Sequence, residues 1–249
     1  MDKEFDAIIL GGGTSSRMKL ESQLPKQVQI IYKNQNLLHY QANWLRKHGA
    51  KNIIIAINDI TFEHLVEHSP ETLKLAHISN EKEKLGTAGA VKLASEMVTT
   101  PSVYVMNVDD LVLSDVYTPQ DLVDTLDRGY LGSILTSRGK FPYGIIKSRG
   151  WRITKFDQKP MMDYKVNSGH YAFSKSYIRK FPDYGNYEDL VFPQSVKDNE
   201  LTFLDLDGKW ITVNTWKELK SARKAVDQWE SRKLYGSSRY GRFRGFRAS

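Results

Sequence analysis

The sequence contains no cysteine. That absence removes disulfides, thiolate zinc sites, cysteine nucleophiles and iron–sulfur clusters from consideration. Long apolar runs are missing as well. The cleanest aliphatic stretch is Ile53-Ile54-Ile55-Ala56-Ile57, far short of the roughly 20 residues a membrane-spanning helix needs. The first residues, Met1-Asp2-Lys3-Glu4, mix charges and run straight into a strand-like segment. No secretory leader and no membrane association are therefore expected, and the location expected is cytoplasmic. Acids are missing from the last 18 residues, where Arg232, Lys233, Arg239, Arg242, Arg244 and Arg247 stand.

Those six cations account for most of the formal net charge of +7, so the body of the chain is nearly neutral. Residues 234–249 interleave Tyr235, Tyr240, Phe243 and Phe246 with arginine, glycine and serine. The composition reads as a disordered basic tail. Single-stranded RNA is the partner that such interleaving of rings and guanidinium groups would suit. The remaining residues, 1–233, read as a single domain, since no repeat or linker interrupts them. With 249 residues, 40% hydrophobic and 26% charged, the chain is large enough for a sizeable core.

Up to about residue 128, aliphatic runs alternate with helical patterns. Strands are expected at Phe5–Leu10, 52–57, 73–78 and 102–106, and helices at 37–48, 61–68 and 87–98. This alternation argues for a parallel sheet covered on both faces. From residue 129 onward the texture is β-rich, with short runs at 131–136, 143–147, 151–156 and 166–173. Shorter helices are expected at 175–181 and 187–196. A final helix over 215–233 places Trp216, Leu219, Ala222, Val226 and Trp229 on one stripe, as core packing requires.

The strongest chemical signal is Gly11-Gly12-Gly13-Thr14-Ser15-Ser16-Arg17-Met18, followed by Pro25-Lys26-Gln27. A strand that empties into glycines lets backbone N–H groups approach an anion, and the hydroxyls add donors. Arg17 and Lys26 then supply charge, one as a planar fork and the other as a point. The segment lacks the Gly-Lys-Ser/Thr ending of a P-loop, and Ser16 stands where a dinucleotide fingerprint places its third glycine. A second motif, His64-x-x-Glu67-His68, fits an inverted zinc-protease pattern, but Pro70 cuts its helix short and no third ligand stands out. These histidines read as the outer face of a helix.

The glycine-rich segment resembles the nucleotide-binding signature of the sugar-1-phosphate nucleotidyltransferases. Further stretches are similar to that family in the same order: Leu85–Ala90, Val105–Asp109, Tyr143–Ile146 with Lys155–Pro160, Val166–Phe173, Glu188–Pro193 and Trp210–Leu219. The resemblance implies a three-layer α/β/α sandwich, a Rossmann-like and GT-A-like fold with a mostly parallel mixed sheet. It also implies transfer of a nucleotidyl group from an NTP to a sugar 1-phosphate by direct displacement, with Mg²⁺ as cofactor. Under it Arg17, Lys26 and Asp109 are catalytic, while Gly11, Gly12, Gly13, Thr14, Ser15, Ser16, Gly86, Thr87 and Ala88 bind the nucleotide. Gly144, Gln158, Lys159 and Asn167 face the sugar phosphate, and Asp109 and Asn214 hold the metal. Thr212 stands where many members carry a second metal-binding aspartate, and Gln158 where glutamate is usual. Those departures keep two alternatives open, a silent nucleotide-sugar-binding paralogue and an enzyme acting on a non-sugar phosphate. Asn214 could instead cap the last helix, and Asp110 and Asp115 read as solvated loop residues. Base, sugar and association with further copies of the chain are not fixed by these motifs.

Overall fold

A computed structural model describes residues 4–13, 18 and 24–239, with side chains described through Lys233. Of the expected site residues, Thr14, Ser15, Ser16 and Arg17 lie outside the described residues, as do residues 240–249 of the tail.

Thirteen strands are described in chain order. They are β1 (Phe5–Leu10), a short hairpin of β2 (Ile30–Tyr32) and β3 (Gln35–Asn36), β4 (Ile53–Asn58) and β5 (His77–Glu81). Then follow β6 (Ser102–Asn107), β7 (Asp110–Leu113), β8 (Gly132–Lys140), β9 (Gly144–Arg149) and β10 (Arg152–Gln158). The last are β11 (Met161–Ser174), β12 (Leu201–Asp205) and β13 (Lys209–Thr212). Seven of them form one sheet in the order β12-β8-β11-β6-β1-β4-β5. Neighbours β6, β1, β4 and β5 run parallel, as do β12 and β8, whereas β11 is antiparallel to both its neighbours. The expected mostly parallel mixed sheet is present.

Alternating side chains feed two cores, as a sheet covered on both faces requires. Phe5, Ala7 and Ile9 of β1 join Ile53, Ile55 and Ile57 of β4 against the helix Leu37–Lys47 and the last helix. Ile8, Ile54, Ala56, Val103 and Val105 point the other way, against the helix Gly86–Ala94 and an aromatic group of Tyr171, Phe173, Tyr177, Phe181 and Tyr187. Because β1, β4, β5 and β6 are parallel and in register, their carboxyl ends share one edge of the sheet. Leu10 lies beside Asn107, and Asn58 beside Glu81. Open α/β sheets place their ligands at such an edge.

Several expected elements differ from those found. The segment expected as a strand from residue 73 is a helical turn at Pro70–Leu73, with Pro70 in its first turn, and the strand begins only at His77. Buried Thr72 explains the turn, since its hydroxyl meets the Asn36 amide at 3.2 Å and the His39 ring at 3.3 Å. The expected helix 187–196 is two short helices, Tyr187–Leu190 and Phe192–Lys197, broken where Pro193 enters. The last helix spans Trp216–Arg239, six residues beyond its expected end and into the segment expected to be disordered. Among the described residues no helix is long and apolar enough to cross a membrane. His64 and His68 do share a face, with ring centroids 4.5 Å apart and tilted by 54°, but no cluster of three metal-ligating His, Cys, Asp or Glu side chains exists among the described residues.

Candidate active site

Gly11, Gly12 and Gly13 leave β1 at the carboxyl edge, and polar side chains take up their carbonyls. The buried Gln27 amide donates to Gly11 O and, at 2.7 Å, to Gly13 O. Asn58 Nδ2 donates to Gly12 O at 3.0 Å. The carbonyls are thereby engaged by the protein, and the Gly11 N–H is spent on Ala56 O at 2.8 Å, which leaves the N–H groups of Gly12 and Gly13 as the backbone donors for an anion at this loop. Gly12 tolerates no side chain, because a Cβ there would stand 2.6 Å from Glu81 Oε1.

The loop forms one wall of a cleft of about 210 Å³, shared with Lys26, Glu81, Lys84, Gly86, Thr87, Asn107, Asp109 and Asn186. Lys26 and Asp109, 83 residues apart, form an ion pair here, with their side chains 17% and 15% exposed. The two charges thus meet at the mouth of one cleft. An ammonium seated on the Asp109 carboxylate marks the position as one that attracts a cation. Backbone contact brings Asn214 alongside, since Val213 N–H donates to Asp109 O at 2.9 Å. A carboxylate with an amide oxygen nearby is a hard donor set of the kind Mg²⁺ takes, so the residues present fit that ion.

Asp110 corrects the expectation of a solvated side chain. It is only 7% exposed, accepting from Trp210 Nε1 at 2.9 Å and Asn107 Nδ2 at 3.0 Å. Burial, reinforced by the charge of Asp109, pushes its carboxyl up to about 6. The alternation argument failed because Val108 and Asp109 form a turn between β6 and β7 rather than an extended segment. Asp115 is exposed as expected and pairs with Arg232 at 2.5 Å.

The last helix is capped by Thr215, not by Asn214. Glu218 N–H donates to Thr215 Oγ1 at 3.2 Å, and the Glu218 carboxylate accepts from Thr215 N–H at 2.9 Å and Asn214 N–H at 2.8 Å. This is a capping box, typically worth about 1 kcal/mol. It leaves the Asn214 side chain available for other work.

The expected nucleotide side is only partly as read. Gly86 and Thr87 line the cleft, but Ala88 is fully buried in the second core and its N–H is consumed by Gly185 O at 2.9 Å. Gly86, at φ +76°, lies so close to Gly185 that a Cβ would meet its carbonyl oxygen. Thus residues 185–188 shape the cleft around the start of this helix, with Asn186 in the cleft wall and Glu188 accepting from Thr87 Oγ1 at 2.7 Å. Of the expected sugar-phosphate residues, Gly144 and Gln158 face each other across the β9–β10 hairpin. Lys159 follows at φ +49°, and Asn167 donates to the Tyr171 hydroxyl at 2.8 Å. None of these four forms part of the cleft wall.

Glu81, Gln27, Lys84 and Asn186 are cleft residues that sequence reasoning missed. Glu81 is 7% exposed, and burial raises its carboxyl above the ordinary range despite a hydrogen bond from the Leu85 backbone. The only signal for it was its place five residues before Gly86.

A glycine cradle, a lysine–aspartate pair at a strand end and a helix opening on Gly-Thr define a nucleotide-handling α/β protein. The Nucleotidyl transferase family model matches residues 6–228, and the chain belongs to that family. It is 30% identical over 228 residues to mannose-1-phosphate guanyltransferase beta-B of Xenopus laevis, an alignment covering 85% of this chain and 62% of the relative. It is 29% identical over 229 residues to the mannose-1-phosphate guanyltransferase of Emericella nidulans, covering 85% and 61%. The chain therefore spans about six tenths of the length of these relatives. In fold it is similar to HddC from Yersinia pseudotuberculosis, with a TM-score of 0.66, 20% identity and coverage of 89% of this chain and 99% of that one.

Proposed function

We propose that the chain transfers a guanylyl group from GTP to a hexose 1-phosphate, releasing pyrophosphate and a GDP-sugar. The carrying observation is the buried Glu81 carboxylate beside Gly12 in the same cleft as the Lys26–Asp109 pair. A carboxylate accepts two parallel N–H bonds, and guanine offers that pattern through its N1–H and 2-amino group. Uracil and thymine present one N–H flanked by carbonyls, which a carboxylate repels. The two relatives, both named mannose-1-phosphate guanyltransferases, support the same base and make mannose 1-phosphate the first acceptor to test.

Chemically, an oxygen of the sugar phosphate bonds to the α-phosphorus while the bond to the pyrophosphate oxygen breaks, and pyrophosphate leaves with that electron pair. Both reactants are anions, so catalysis is positioning plus charge neutralisation. Lys26 neutralises phosphate charge at the glycine loop, and Arg17 is assigned the same task from the sequence motif alone. Asp109, with Asn214 at its side, would hold Mg²⁺, which screens the charge gathering at the α-phosphorus. Gly144, Gln158, Lys159 and Asn167 are assigned to the sugar phosphate.

The test is pyrophosphate release from GTP, UTP, CTP and dTTP, each against a panel of sugar 1-phosphates with Mg²⁺. Release with GTP and a hexose 1-phosphate is expected; release with no sugar phosphate at all overturns the reading. Glu81→Gln, which places a donor against guanine, should lower kcat/KM for GTP by about 10- to 100-fold, the value of a good bidentate base contact. An undiminished preference for GTP in that variant removes Glu81 from base recognition.

A further inference from the structure

Strands β9 and β10 pair with each other and with no further strand among the described residues. Every residue of the two strands is exposed except Asp157, so neither face of the ribbon packs on the body. A lone two-stranded ribbon is marginally stable in water, and this one is amphipathic. Its register puts Ile146 opposite Phe156 and Ser148 opposite Ile153 on one face, and a bulge between Ile153 and Lys155 keeps Ile153 there. Those three apolar side chains are more than half exposed, Ile146 at 57%, Ile153 at 58% and Phe156 at 61%. On the other face Lys147 lies opposite Lys155, and Arg149 opposite Arg152. Like charges directly opposed destabilise a ribbon. Among the described residues only Lys155 of these four has an ion pair, with Asp157 at 2.6 Å. Gly150, at φ +59°, turns the chain at the tip and leaves Trp151 wholly exposed. Residues 138–165 carry eight cations against two acids, so the near-neutral body is polarised and this ribbon lies at its basic pole.

We propose that the β9–β10 ribbon is an interfacial anchor for an anionic phospholipid bilayer. Ile146, Ile153 and Phe156 enter the acyl boundary, Trp151 sits at the headgroup level, and Lys147, Lys155, Arg149 and Arg152 meet lipid phosphates. Both faces decide the partner. A nucleic acid would take the cations and leave the three apolar side chains in water. A second copy of the chain would cover the apolar face and leave the opposed cations unrelieved. An amphipathic element lying at interface depth is surrounded by headgroups, and long Lys and Arg side chains reach round to them while the apolar face is buried. Tryptophan is at home at that depth. No helix among the described residues is long and apolar enough to cross a membrane, and an interfacial contact needs none.

The experiment sediments the full chain with vesicles of phosphatidylcholine alone and of phosphatidylcholine mixed with phosphatidylglycerol. Binding to the mixed vesicles is expected, falling as salt rises, with none to phosphatidylcholine alone. Arg149→Ser with Arg152→Ser should weaken it by about 30-fold, the combined effect of two cations near a charged surface. Trp151→Ala should weaken it by about 10-fold through lost apolar burial. Lipids brominated on the acyl chain should quench tryptophan fluorescence in the native chain, and that quenching should vanish in Trp151→Phe, which keeps an apolar ring. Melting temperature and circular dichroism of each variant monitor the fold. Pyrophosphate release in solution reports the proposed reaction separately, so its failure would leave this result standing. Arg242→Ser, Arg244→Ser and Arg247→Ser together should spare the quenching. If that tail variant loses vesicle binding while the ribbon variants keep it, the tail is the lipid ligand and the proposal is wrong. Capture of a single-stranded RNA oligonucleotide through Arg149 and Arg152, with no vesicle binding, would overturn it in favour of a nucleic-acid surface. A dimer that Ile146→Ser with Phe156→Ser dissociates, again without vesicle binding, would overturn it in favour of a second copy.

Discussion

The Thr87 hydroxyl donates to the Glu188 carboxylate at 2.7 Å across 101 positions of sequence. The same carboxylate lies 3.3 Å from the Tyr171 hydroxyl, which accepts in turn from Asn167 Nδ2 at 2.8 Å. Glu188 therefore ties the opening of the helix Gly86–Ala94, proposed above to face the base, to the strand that carries Asn167. Its neighbour Asn186 adds a contact to Thr87 N–H at 3.3 Å.

Glu188→Ala should raise KM for both the nucleotide and the sugar phosphate. Hydrogen bonds to a charged group are each worth about 1.5–3 kcal/mol, so a loss of roughly 10- to 100-fold in kcat/KM is expected. Glu188→Gln keeps one acceptor and should lose less. Steady-state kinetics with each substrate varied separately checks this; a change confined to one substrate shows that Glu188 does not couple the two sides.

Gly12→Ala tests the closeness of the glycine loop to Glu81. A Cβ standing 2.6 Å from Glu81 Oε1 must displace that carboxylate or the loop itself. KM for GTP should rise about 10-fold, of the order that 1.4 kcal/mol of lost contact produces, while KM for the sugar phosphate stays put. Equal increases for both substrates would mean that the whole cleft shifts.

Much of this site could be read locally, and the reasons are physical. The short, nearly continuous apolar run of Phe5–Leu10 and the glycines after it announce a strand buried on both faces that ends at a backbone-lined cradle. Asp109 is legible because it follows a second strand of the same kind, beside β1 in the parallel sheet. Glu81 was not legible, because Glu81-Lys82-Glu83-Lys84 reads as a solvated charge run until β5 is placed at the edge of the sheet. Gly185, Asn186 and Glu188 reach the cleft only through tertiary folding, since nothing near residue 87 signals a partner about a hundred positions away. Ala88 was misjudged because a helix start exposes only its first turn's outer face, and position 88 already points into the core.

Lys26→Met separates two roles of one lysine. Its ammonium sits on the Asp109 carboxylate, where it competes with any divalent ion for that group. Removing it should tighten Mn²⁺ binding in the absence of nucleotide by a few-fold, given that partly exposed pairs are worth up to about 1 kcal/mol. Turnover should nevertheless fall by about 10²–10³, the usual cost of deleting one donor aimed at developing charge. Isothermal titration with Mn²⁺ and a pyrophosphate-release assay on the same preparation read both effects. Weaker Mn²⁺ binding in the variant would contradict the competition.

His170 supplies a prediction about pH. It is fully buried, accepting at Nδ1 from the Tyr104 hydroxyl at 2.7 Å and donating from Nε2 to Asp110 O at 2.8 Å. Burial lowers its pKa from 6.5 to about 4. Between those values the unfolded chain binds the extra proton, so this contribution is present above pH 6.5 and is lost as the pH falls toward 4. Asp110 acts oppositely. Its carboxyl is raised from 3.8 to about 6, so the folded state holds more protons across that window and its contribution is lost as the pH rises. His170→Gln deletes the first and keeps the second. Urea unfolding of metal-free protein should therefore show the variant far less stable than wild type near pH 7, with the gap narrowing steadily toward about pH 5. A gap that stays constant with pH would mean that the His170 ring is not held neutral by burial.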